Sequence, residues 1–569
     1  MKPLLSALLF LAALQVLLTQ CANPKAPTGG PQDSIPPTLV QAYPAIGALN
    51  VTDTEIILEF NEFINVDKLS TNLIITPQQD IKYKAIAKKN RLILKFEKAF
   101  PDSTTITLNF FDGVTDITEL NPAVNLSYVF STGSYLDSLE IKGKIQDLFS
   151  TKPQEKILVG LFTRTDSLDI FKTKPTYFTT TNKEGEYAIK NVKSGTYKVL
   201  AFKDDNRNLT FDPSAEAYGF INNFVTLDSN ISNADIKLVK INAEPIRRIS
   251  SKVNGQYFDS RYSKPIDSLV LPQNLFYQVL DDKISIRIYQ PDNMKTVTDS
   301  LATILQAFDS LGNSAIDTVF AKFSDQVRKP GKFEVTITPK EGTLDVKNSF
   351  LLTFTKPIKS SNFNNIVWQK DSTYTAPMDS ASTKYQWNST KTQLALTTTF
   401  DTTSYLAFQK QFIAQIPIDT TKTDSAQLKK RRSVAQPSLS RKLDLVLQAN
   451  SFISVENDSI AEIRKPITFF QQKQSGKLIV NITTDTPSYT IQLVNKQLMV
   501  IRQLKATSSL RIDNLPPGDY GFRFLIDTNQ DGKWSYGNIL KDELPEEIYL
   551  FPDFTSLRAN WEVNLDITF

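Results

Sequence analysis

The sequence predicts an all-β protein built from tandem antiparallel β-sandwich modules. Its 569 residues include 36 Phe and 19 Tyr but only 4 Met, and Thr and Val are abundant, which favours strands over helices. Charged residues make up 22% of the chain, so it can bury proper cores and is not expected to stay disordered. Apolar and polar side chains alternate over many short stretches that are separated by turn residues, as in half-buried antiparallel strands. A chain of this length is expected to hold about three to five domains.

The first module, residues 37–134, shows the alternation most clearly. Apolar side chains occupy every second position in three runs, which are Ile56, Leu58 and Phe60, then Leu92, Leu94 and Phe96, then Ile106, Leu108 and Phe110. This spacing predicts an antiparallel sandwich of about 100 residues.

Several short features of this module resemble the bacterial Ig-like domain of surface-layer proteins and lipoproteins. They are Pro36-Pro37, the turn Pro44–Gly47, the strand Leu58–Ile64 and the closing segment Phe130–Gly133. The resemblance covers residues 37–134 and implies an Ig-like β-sandwich.

The second module, residues 135–244, carries a different signature. Thr181–Val192 and Gly195–Val199 read as turn, strand, turn and strand, with Gly where a positive φ is needed. This pattern resembles the carboxypeptidase-regulatory-like, or prealbumin-like, sandwich. The resemblance implies a structural unit without catalytic activity.

The same signature recurs near the end of the chain. Leu510–Tyr520 repeats Tyr187–Tyr197 at a constant offset of 323 residues, and the offset also relates Asp204 to Asp527. Internal repeats of this kind indicate duplicated structural units. The sequence therefore predicts a second carboxypeptidase-regulatory-like sandwich over residues 470–569.

The Ig-like strand also recurs. Phe60–Ile64 is echoed by Tyr262–Ile266 and by Phe354–Ile358. We therefore expect two further Ig-like modules, over residues 245–335 and 336–460. Within the first of them, the apolar spacing of Leu301–Phe308 also fits a short helix. Within the second, residues 420–442 are polar and basic and are predicted to form an exposed loop insertion.

The amino terminus predicts an export signal. Leu4–Leu18 is a nearly unbroken apolar run of 15 residues, too short for a membrane-spanning helix, which needs about 20 residues. Leu18, Thr19, Gln20 and Cys21 resemble a bacterial lipobox, although Gln20 stands where Gly, Ala or Ser is usual. The resemblance implies a signal peptide over residues 1–20 and acyl chains, such as palmitate, on Cys21. The alternative is an ordinary signal peptide with an unmodified thiol.

Residues 21–36 follow as a tether. This segment is rich in Pro and Gly and has almost no apolar side chains to bury, so it is expected to be extended and semi-rigid.

Composition excludes several classes of function. The sequence has no His and one Cys, so it offers no Ser-His-Asp or Cys-His centre, no imidazole zinc site and no disulfide. A formal net charge of +4 over this length gives no footprint for nucleic acid.

One loop contains a candidate metal site. Asp527, Asn529 and Asp531 stand at positions 1, 3 and 5 of an EF-hand-like calcium loop, with Gly532 at position 6. Position 12 is Asn538 instead of the usual Glu. The alternative is an Asx-rich turn in which these side chains bind their own backbone. No other cofactor is predicted.

The sequence as a whole predicts a non-catalytic lipoprotein of the cell envelope. We expect it in the outer membrane of a Gram-negative bacterium, facing the periplasm or the surface, with a structural or adhesive role and a protein or glycan partner. The first alternative is a glycan- or nutrient-binding lipoprotein of an outer-membrane uptake system. The second is an enzyme that uses a pair of carboxylates. The basic cluster Lys429–Arg432 is either a solvated loop or a contact for anionic headgroups.

Overall fold

The computed structural model describes residues 33–569 apart from 125, 272–274, 293–299, 325–330, 340–341, 345–346, 371–373, 379–382, 401–404, 406, 408–441 and 470–474. The chain divides into two compact units. Unit 1 is Met1–Ile145, Pro153–Phe211 and Phe224–Ile236, as far as these residues are described. Unit 2 is Gln146–Lys152, Asp212–Asn223 and Lys237–Phe569, with the same restriction.

The predicted fold class is confirmed: nearly all regular structure is strand, arranged in mostly antiparallel sheets, with parallel pairing of β26 with β35 and of β36 with β43. The module boundaries given above remain predictions. For reference, five sandwiches are named here by their strands, the first holding β1–β9, the second β10–β17, the third β18–β24, the fourth β25–β35 and the fifth β36–β43.

The first sandwich lies in unit 1. Its elements are β1 (Leu39–Tyr43), β2 (Glu55–Phe60), β3 (Ile64–Asn65), α1 (Leu69–Asn72), β4 (Ile74–Thr76), β5 (Tyr83–Lys88), β6 (Arg91–Phe96), β7 (Thr105–Asn109), a 3₁₀ turn (Phe111–Gly113), β8 (Thr115–Asp116) and β9 (Ser127–Ser131). They form a sheet in the order β1-β2-β6-β5, a sheet β4-β7-β9 and the short pair β3-β8. All nine side chains of the three alternating runs are buried in one core. The period-two pattern therefore predicted the inward face of these strands correctly.

The second sandwich contains β10 (Leu139–Asp147), β11 (Leu158–Thr163), β12 (Tyr177–Thr180), β13 (Glu186–Val192), β14 (Gly195–Phe202), β15 (Tyr218–Phe220), β16 (Val225–Leu227) and β17 (Ile236–Leu238). Within unit 1, β10 pairs with β13, β11 lies between β12 and β14, and β16 pairs with the start of β14.

The third sandwich lies in unit 2 and contains β18 (Arg248–Asn254), β19 (Tyr257–Tyr262), β20 (Ser268–Val270), β21 (Tyr277–Val279), β22 (Ser285–Tyr289), β23 (Leu301–Phe308) and β24 (Ser314–Ala321). Its sheets have the orders β18-β19-β22-β21 and β20-β23-β24. The helix suggested by the spacing of Leu301–Phe308 is wrong, because this segment is β23, paired along its whole length with β24. In the strand Leu305 is buried and Ile304 is 46% exposed, whereas a helix would have put both on one buried face.

The fourth sandwich contains β25 (Val335–Thr338), β26 (Gly342–Leu344), β27 (Lys347–Phe354), β28 (Ile358–Ser361), a 3₁₀ turn (Phe363–Asn365), β29 (Ile366–Lys370), β30 (Tyr374–Pro377), β31 (Thr383–Trp387), β32 (Gln393–Thr399), β33 (Lys442–Leu447), β34 (Phe452–Ser454) and β35 (Ile463–Phe469). Its sheets are β25-β27-β32-β31, β26-β35-β33-β29-β30 and β28-β34. Aromatic rings fill its centre, where Phe452 packs against Phe354 and Trp387.

The fifth sandwich contains β36 (Gly476–Thr483), β37 (Tyr489–Val494), β38 (Val500–Lys505), β39 (Ser509–Leu515), β40 (Gly518–Ile526), β41 (Ile548–Leu550), β42 (Thr555–Leu557) and β43 (Glu562–Thr568). Strand β36 lies between β39 and β43, and β37 lies between β38 and β40. Strand β42 pairs with the start of β40, just as β16 pairs with the start of β14.

The two sequence copies make the same hydrogen bond at matching positions. The hydroxyl of Tyr197 donates to the carbonyl of Lys193 at 2.8 Å, and that of Tyr520 donates to the carbonyl of Pro516 at 2.7 Å. Each tyrosine thus closes the turn four residues before it. The second and fifth sandwiches therefore share strand order, register and turn chemistry where they can be compared.

Candidate functional site

Some predicted sites lie outside the described residues. They are the lipobox residues Leu18, Thr19 and Gln20, the lipidation residue Cys21, and the basic cluster Lys429–Arg432. The loop insertion over residues 420–442 also lies outside them, except for Lys442 at the start of β33.

The candidate calcium residues do lie together, in the loop that follows β40. Asp527 is buried, and its two carboxylate oxygens accept the backbone N–H groups of Asp531 at 3.2 Å and Gly532 at 3.0 Å. Asn529 Oδ1 accepts the N–H of Asp531 at 2.9 Å, and Asp531 Oδ1 accepts that of Lys533 at 2.8 Å. The three side chains therefore hold the backbone of their own loop.

Glu546 is a further member of this loop that the sequence did not indicate. Its Oε1 accepts the N–H groups of Thr528 at 2.8 Å and Asn529 at 3.1 Å, and its Oε2 accepts that of Ser535 at 2.7 Å. One carboxylate thus clamps both sides of the loop. No short-range sequence pattern marks this role, because the carboxylate binds back across 18 residues of chain.

The surroundings of Asp527 favour its charged form. Burial alone would raise the pKa of this carboxyl, but the Ser488 hydroxyl and the N–H groups of Gly532, Asp531 and Gln530 lower the pKa below its usual 3.8. A depressed pKa means that the ionised form contributes stability above the unfolded-state pKa and loses it as the pH falls through the folded-state pKa. The loop is therefore held best at neutral pH.

The geometry of the loop bears on both interpretations, a calcium site and an Asx-rich turn. Among the described residues, no group of three or more Cys, Asp or Glu is arranged to hold a metal ion. Asn538, at position 12, donates to the carbonyl of Leu311 at 3.1 Å and to Asn313 Oδ1 at 2.7 Å, away from the loop. Backbone N–H groups thus account for the loop's shape, as in an Asx-rich turn. Each oxygen keeps a second lone pair, so calcium remains a prediction.

The first copy of the loop has the same hydrogen bonds. Asp204 accepts the N–H groups of Asn208 and Leu209, both at 3.0 Å, and Asn206 Oδ1 accepts the N–H of Asn208 at 3.0 Å. Leu209 takes a φ of 62° where the second copy has Gly532 at 87°. The loop conformation is therefore retained even where glycine and one carboxylate are lost.

The recurring Ig-like strand contains an unexpected buried ion pair. In the third sandwich, Lys264 Nζ lies 2.7 Å from Asp309 Oδ2, and their side chains are only 4% and 0% exposed. The same ammonium donates to the carbonyls of Asn242 and Glu244 at 2.8 and 2.7 Å. Three acceptors thus satisfy a cation that is cut off from water, as buried charges require.

In the fourth sandwich the equivalent lysine is Lys356. Its Nζ lies 2.5 Å from Glu456 Oε2 and 2.6 Å from Asp458 Oδ2. The hydroxyl of Tyr257, from the third sandwich, donates to the other oxygen of Glu456. Arg287 lies over the Tyr257 ring at 4.3 Å and holds Asp259 through two bonds of 2.8 and 2.9 Å. This cluster, in which Lys356 is buried and its carboxylate partners are partly exposed, joins the third sandwich to the fourth within unit 2.

At the position equivalent to Lys264 and Lys356, the first sandwich has Glu62. Burial raises the pKa of Glu62, and the negative charges of Asp116 and Asp33 raise it further. Asp116 is fully buried and accepts the N–H groups of Glu119, Leu120 and Asn121. In this sandwich, therefore, a like charge faces the buried aspartate in place of a cation.

The four tryptophans do not lie together on one exposed surface. Trp368 and Trp387 pack in or against the fourth-sandwich core, and Trp561 is exposed beside Arg558. Trp534 packs against Tyr536 at 4.8 Å and Phe149 at 5.6 Å.

Introducing a lysine at position 62 should stabilise the first sandwich. We expect Glu62→Lys to raise the unfolding midpoint at pH 7, because it replaces repulsion from Asp116 with attraction, and Glu62→Gln to raise it less. For a partly exposed group the gain should be below about 1 kcal/mol. Because the pKa of Glu62 is raised in the folded state, its ionised form destabilises the fold, so the gain of Glu62→Gln should be full at pH 7. It should shrink as the pH falls through the raised pKa and vanish below the usual value of 4.5.

Thermal melts between pH 3 and pH 8 measure this effect, with Glu97→Lys, an exposed charge reversal on the same sandwich, as the control. Equal gains for Glu62→Lys and Glu97→Lys would indicate a general charge effect and contradict the expectation.

Within the described residues, no helix has the length and apolar character to cross a membrane. Several solved structures are similar to this chain. The Bacillus anthracis TIE protein is 10% identical, with 95% of this chain and 76% of that chain covered, at a TM-score of 0.12. The major pilin subunit BcpA of Bacillus cereus is 9% identical, with 76% and 99% covered and a TM-score of 0.12. Domains 1–6 of the surface layer protein SbsC are 8% identical, with 92% and 67% covered and a TM-score of 0.14. Scores this low carry no argument about function.

A search of the curated proteins finds no match. The family model of the bacterial Ig-like domain matches residues 33–132. This range holds strands β1–β9 and the predicted resemblance, so the first sandwich of this chain is a bacterial Ig-like domain.

Proposed function

We propose that this protein is a non-catalytic lipoprotein of the bacterial cell envelope, with a structural or adhesive role. The observation that carries the proposal is the way consecutive sandwiches are joined in unit 2. The buried Lys356, its partner Glu456 and the Tyr257 hydroxyl tie the third sandwich to the fourth. A chain that fixes its modules to one another in this way suits the task of holding a surface in place.

A second joint supports the same role. The side chain of Asn538 in the fifth sandwich is 1% exposed and donates to the turn of the third sandwich that Asp309 closes. Lys541 lies 3.4 Å from the carbonyl of Gly312 in that turn. Satisfied buried polar contacts of this kind fix one geometry, because any other would leave them unpaired.

The absence of histidine supports the non-catalytic part of the proposal. Without it the chain lacks the side chain whose unperturbed pKa suits acid–base chemistry near neutrality. The one cysteine is, on this proposal, acylated at the membrane. An enzyme that uses a pair of carboxylates would need two such groups brought together from separate strands.

Lipid on Cys21 would attach the chain to the outer membrane, and the Pro- and Gly-rich residues 21–36 would hold the first sandwich away from the bilayer. The partner of the modules is then another envelope protein or a glycan. A second candidate function, glycan or nutrient binding in an outer-membrane uptake system, is favoured by a polar cleft in unit 1 that Lys142 and Asn233 help to line.

The anchor can be tested by Cys21→Ser. We expect this variant to leave the membrane fraction and to incorporate no labelled palmitate, because the acyl chains that hold the protein are attached to this sulfur. Asn23→Ser, two residues into the tether, should stay in the membrane fraction. If Cys21→Ser still sediments with membranes after a salt wash, lipid on this residue is not the anchor.

The joint between the third and fourth sandwiches can be tested by Lys356→Met. Removing one partner of a buried ion pair leaves Glu456 uncompensated, which should cost about 3–5 kcal/mol. Hydrogen exchange in β19, β28 and β34 should accelerate accordingly. The control is Lys384→Met, which changes an exposed lysine of β31 in the same sandwich and should cost less than about 0.5 kcal/mol. Equal protection in the two variants would show that the cluster does not join the sandwiches.

Calcium binding by Asp527, Asn529 and Asp531 predicts slower hydrogen exchange in and around their loop. A ligand at a hundredfold excess over its Kd stabilises the folded state by about 2.7 kcal/mol. Millimolar calcium should therefore slow hydrogen exchange in residues 518–550, and Asp531→Ala should abolish the effect, while Asp553→Ala, an exposed carboxylate of the same sandwich, should not. If calcium leaves the exchange unchanged, the loop is an Asx-rich turn alone.

A further inference from the structure

A polar cleft of about 650 Å³ opens on unit 1, lined by residues of the first and second sandwiches. Its floor is the outward face of strands β10 and β13, and Phe111, residues 180–182 and residues 232–235 surround this floor. Small-ligand sites typically measure about 300–1,000 Å³. The cleft therefore has the size of a binding site.

The floor presents charged groups with free space beside them. Along β10, Ile141 and Ile145 are buried while Lys142 and Lys144 are exposed. Lys144 lies opposite Glu186 of β13 and forms a 3.0 Å ion pair with it, whereas Lys142 lies opposite Ala188. Because the alanine side chain is short, it leaves room above the sheet next to the Lys142 ammonium.

One rim of the cleft depends on Gly143. Residues 231–234 run directly beside β10, where Lys142 N–H donates to the carbonyl of Ile231 at 2.9 Å and Ala234 N–H donates to the carbonyl of Lys142 at 3.0 Å. A Cβ on Gly143 would lie 2.3 Å from the carbonyl oxygen of Ala234, so only glycine permits this approach.

Because residues 231–234 lie close against β10, Ser232 and Asn233 stand at the rim between the two hydrogen bonds. Their side chains are exposed. Within the described part of the chain, the side chains of Lys142, Ser232 and Asn233 make no hydrogen bond or ion pair. An ammonium, a hydroxyl and an amide are thus available to a ligand at one end of the cleft.

The first sandwich contributes an apolar side chain. Phe111 is half-buried and takes a φ of 44°, in the left-handed region that a bulky residue rarely adopts. Strained residues of this kind tend to cluster at sites that bind ligands. Its ring is the one aromatic side chain among the lining residues apart from Tyr187, which is buried with its hydroxyl bonded to the carbonyl of Ala234.

The charges of the lining determine the class of ligand. Lys142 and Lys144 balance Glu186 and Asp235, so the cleft carries no formal net charge and is not complementary to a strongly charged polymer. An extended peptide binds along a free strand edge. Strand β10 offers none, because it is paired with β13 on one side and with residues 231–234 on the other, and β13 is the edge strand of this sheet. Hydroxyl, amide and ammonium groups beside one ring suit a molecule with many hydroxyls and an apolar face.

We propose that this cleft binds a short, uncharged oligosaccharide. Its hydroxyls would bond to Lys142, Ser232 and Asn233, and the C–H face of one sugar would pack on Phe111. This inference rests on the proposed adhesive role and gives that role a chemical class of ligand.

The test uses the mature chain, residues 21–569, with three uncharged probes, which are cellotriose, maltotriose and N,N′,N″-triacetylchitotriose. Saturation-transfer NMR detects binding, and titration calorimetry measures it. We expect at least one probe to bind, and Lys142→Ala and Asn233→Ala each to weaken its binding about tenfold, which corresponds to about 1.4 kcal/mol. Both residues are exposed, so these variants should melt like the parent chain. Phe111→Ala should also weaken binding.

The matched control is Lys190→Ala, since Lys190 is an exposed lysine of β13 that does not line the cleft. The proposal is overturned if none of the three probes binds, if trigalacturonate or trilysine binds more tightly than all of them, or if Lys190→Ala weakens binding as much as Lys142→Ala. A chain that binds no probe but still sediments with membranes through Cys21 overturns the cleft alone and leaves the proposed function standing.

Discussion

Buried carboxylates that accept backbone N–H groups hold the loops of this protein, and the arrangement of the sandwiches depends on them. Where the chain leaves a sheet, its N–H groups lose their ladder partners and must be paired if they are buried. Asp116, Asp309 and Asp527 supply those acceptors in the first, third and fifth sandwiches, and each is 4% exposed or less. The loop after β40 and the turn between β23 and β24 then meet through Asn538, so the same carboxylates also fix how two sandwiches in unit 2 contact each other.

The buried lysine in the recurring Ig-like strand is explained by the same need to pair buried polar and charged groups. Asp309 already accepts two N–H groups of its turn, yet its side chain is fully buried, so a nearby cation lowers the cost of its charge. Lys264 supplies that cation from a neighbouring loop. In the fourth sandwich Lys356 supplies the cation and forms ion pairs with Asp458 and Glu456. Glu456 also accepts a hydrogen bond from the Tyr257 hydroxyl of the third sandwich. An ion pair that stabilises one module has thereby become the joint to another.

The sequence predicted the features that depend on neighbours along the chain. Alternation identified the buried faces of β2, β6 and β7, and the constant offset related two tyrosines that close matching turns. The spacing of apolar residues was misleading at Leu301–Phe308. Ile304 lies on the outer face of its sheet, and an apolar residue there breaks the alternation expected of a strand. Partners far along the chain were not predicted: Lys356 and Asp458 are 102 residues apart, and no spacing rule connects them. Glu546 was missed for the same reason, since a carboxylate in a polar loop gives no sign of the backbone that it binds.

The cleft of unit 1 shows where such a fold can acquire specificity. The cores of the sandwiches are filled by their own side chains, so a ligand site has to form on outer faces, in turns or where two sandwiches come together. At the cleft, β10 and β13 supply the floor, while Phe111, Ser232 and Asn233 come from segments outside these strands. Ser232 and Asn233 are exposed, so substitutions there could change the ligand without disturbing either core, which is how function varies on one scaffold. Gly143 is the exception, because a side chain there would force residues 231–234 off the sheet and remove the rim that any ligand would contact.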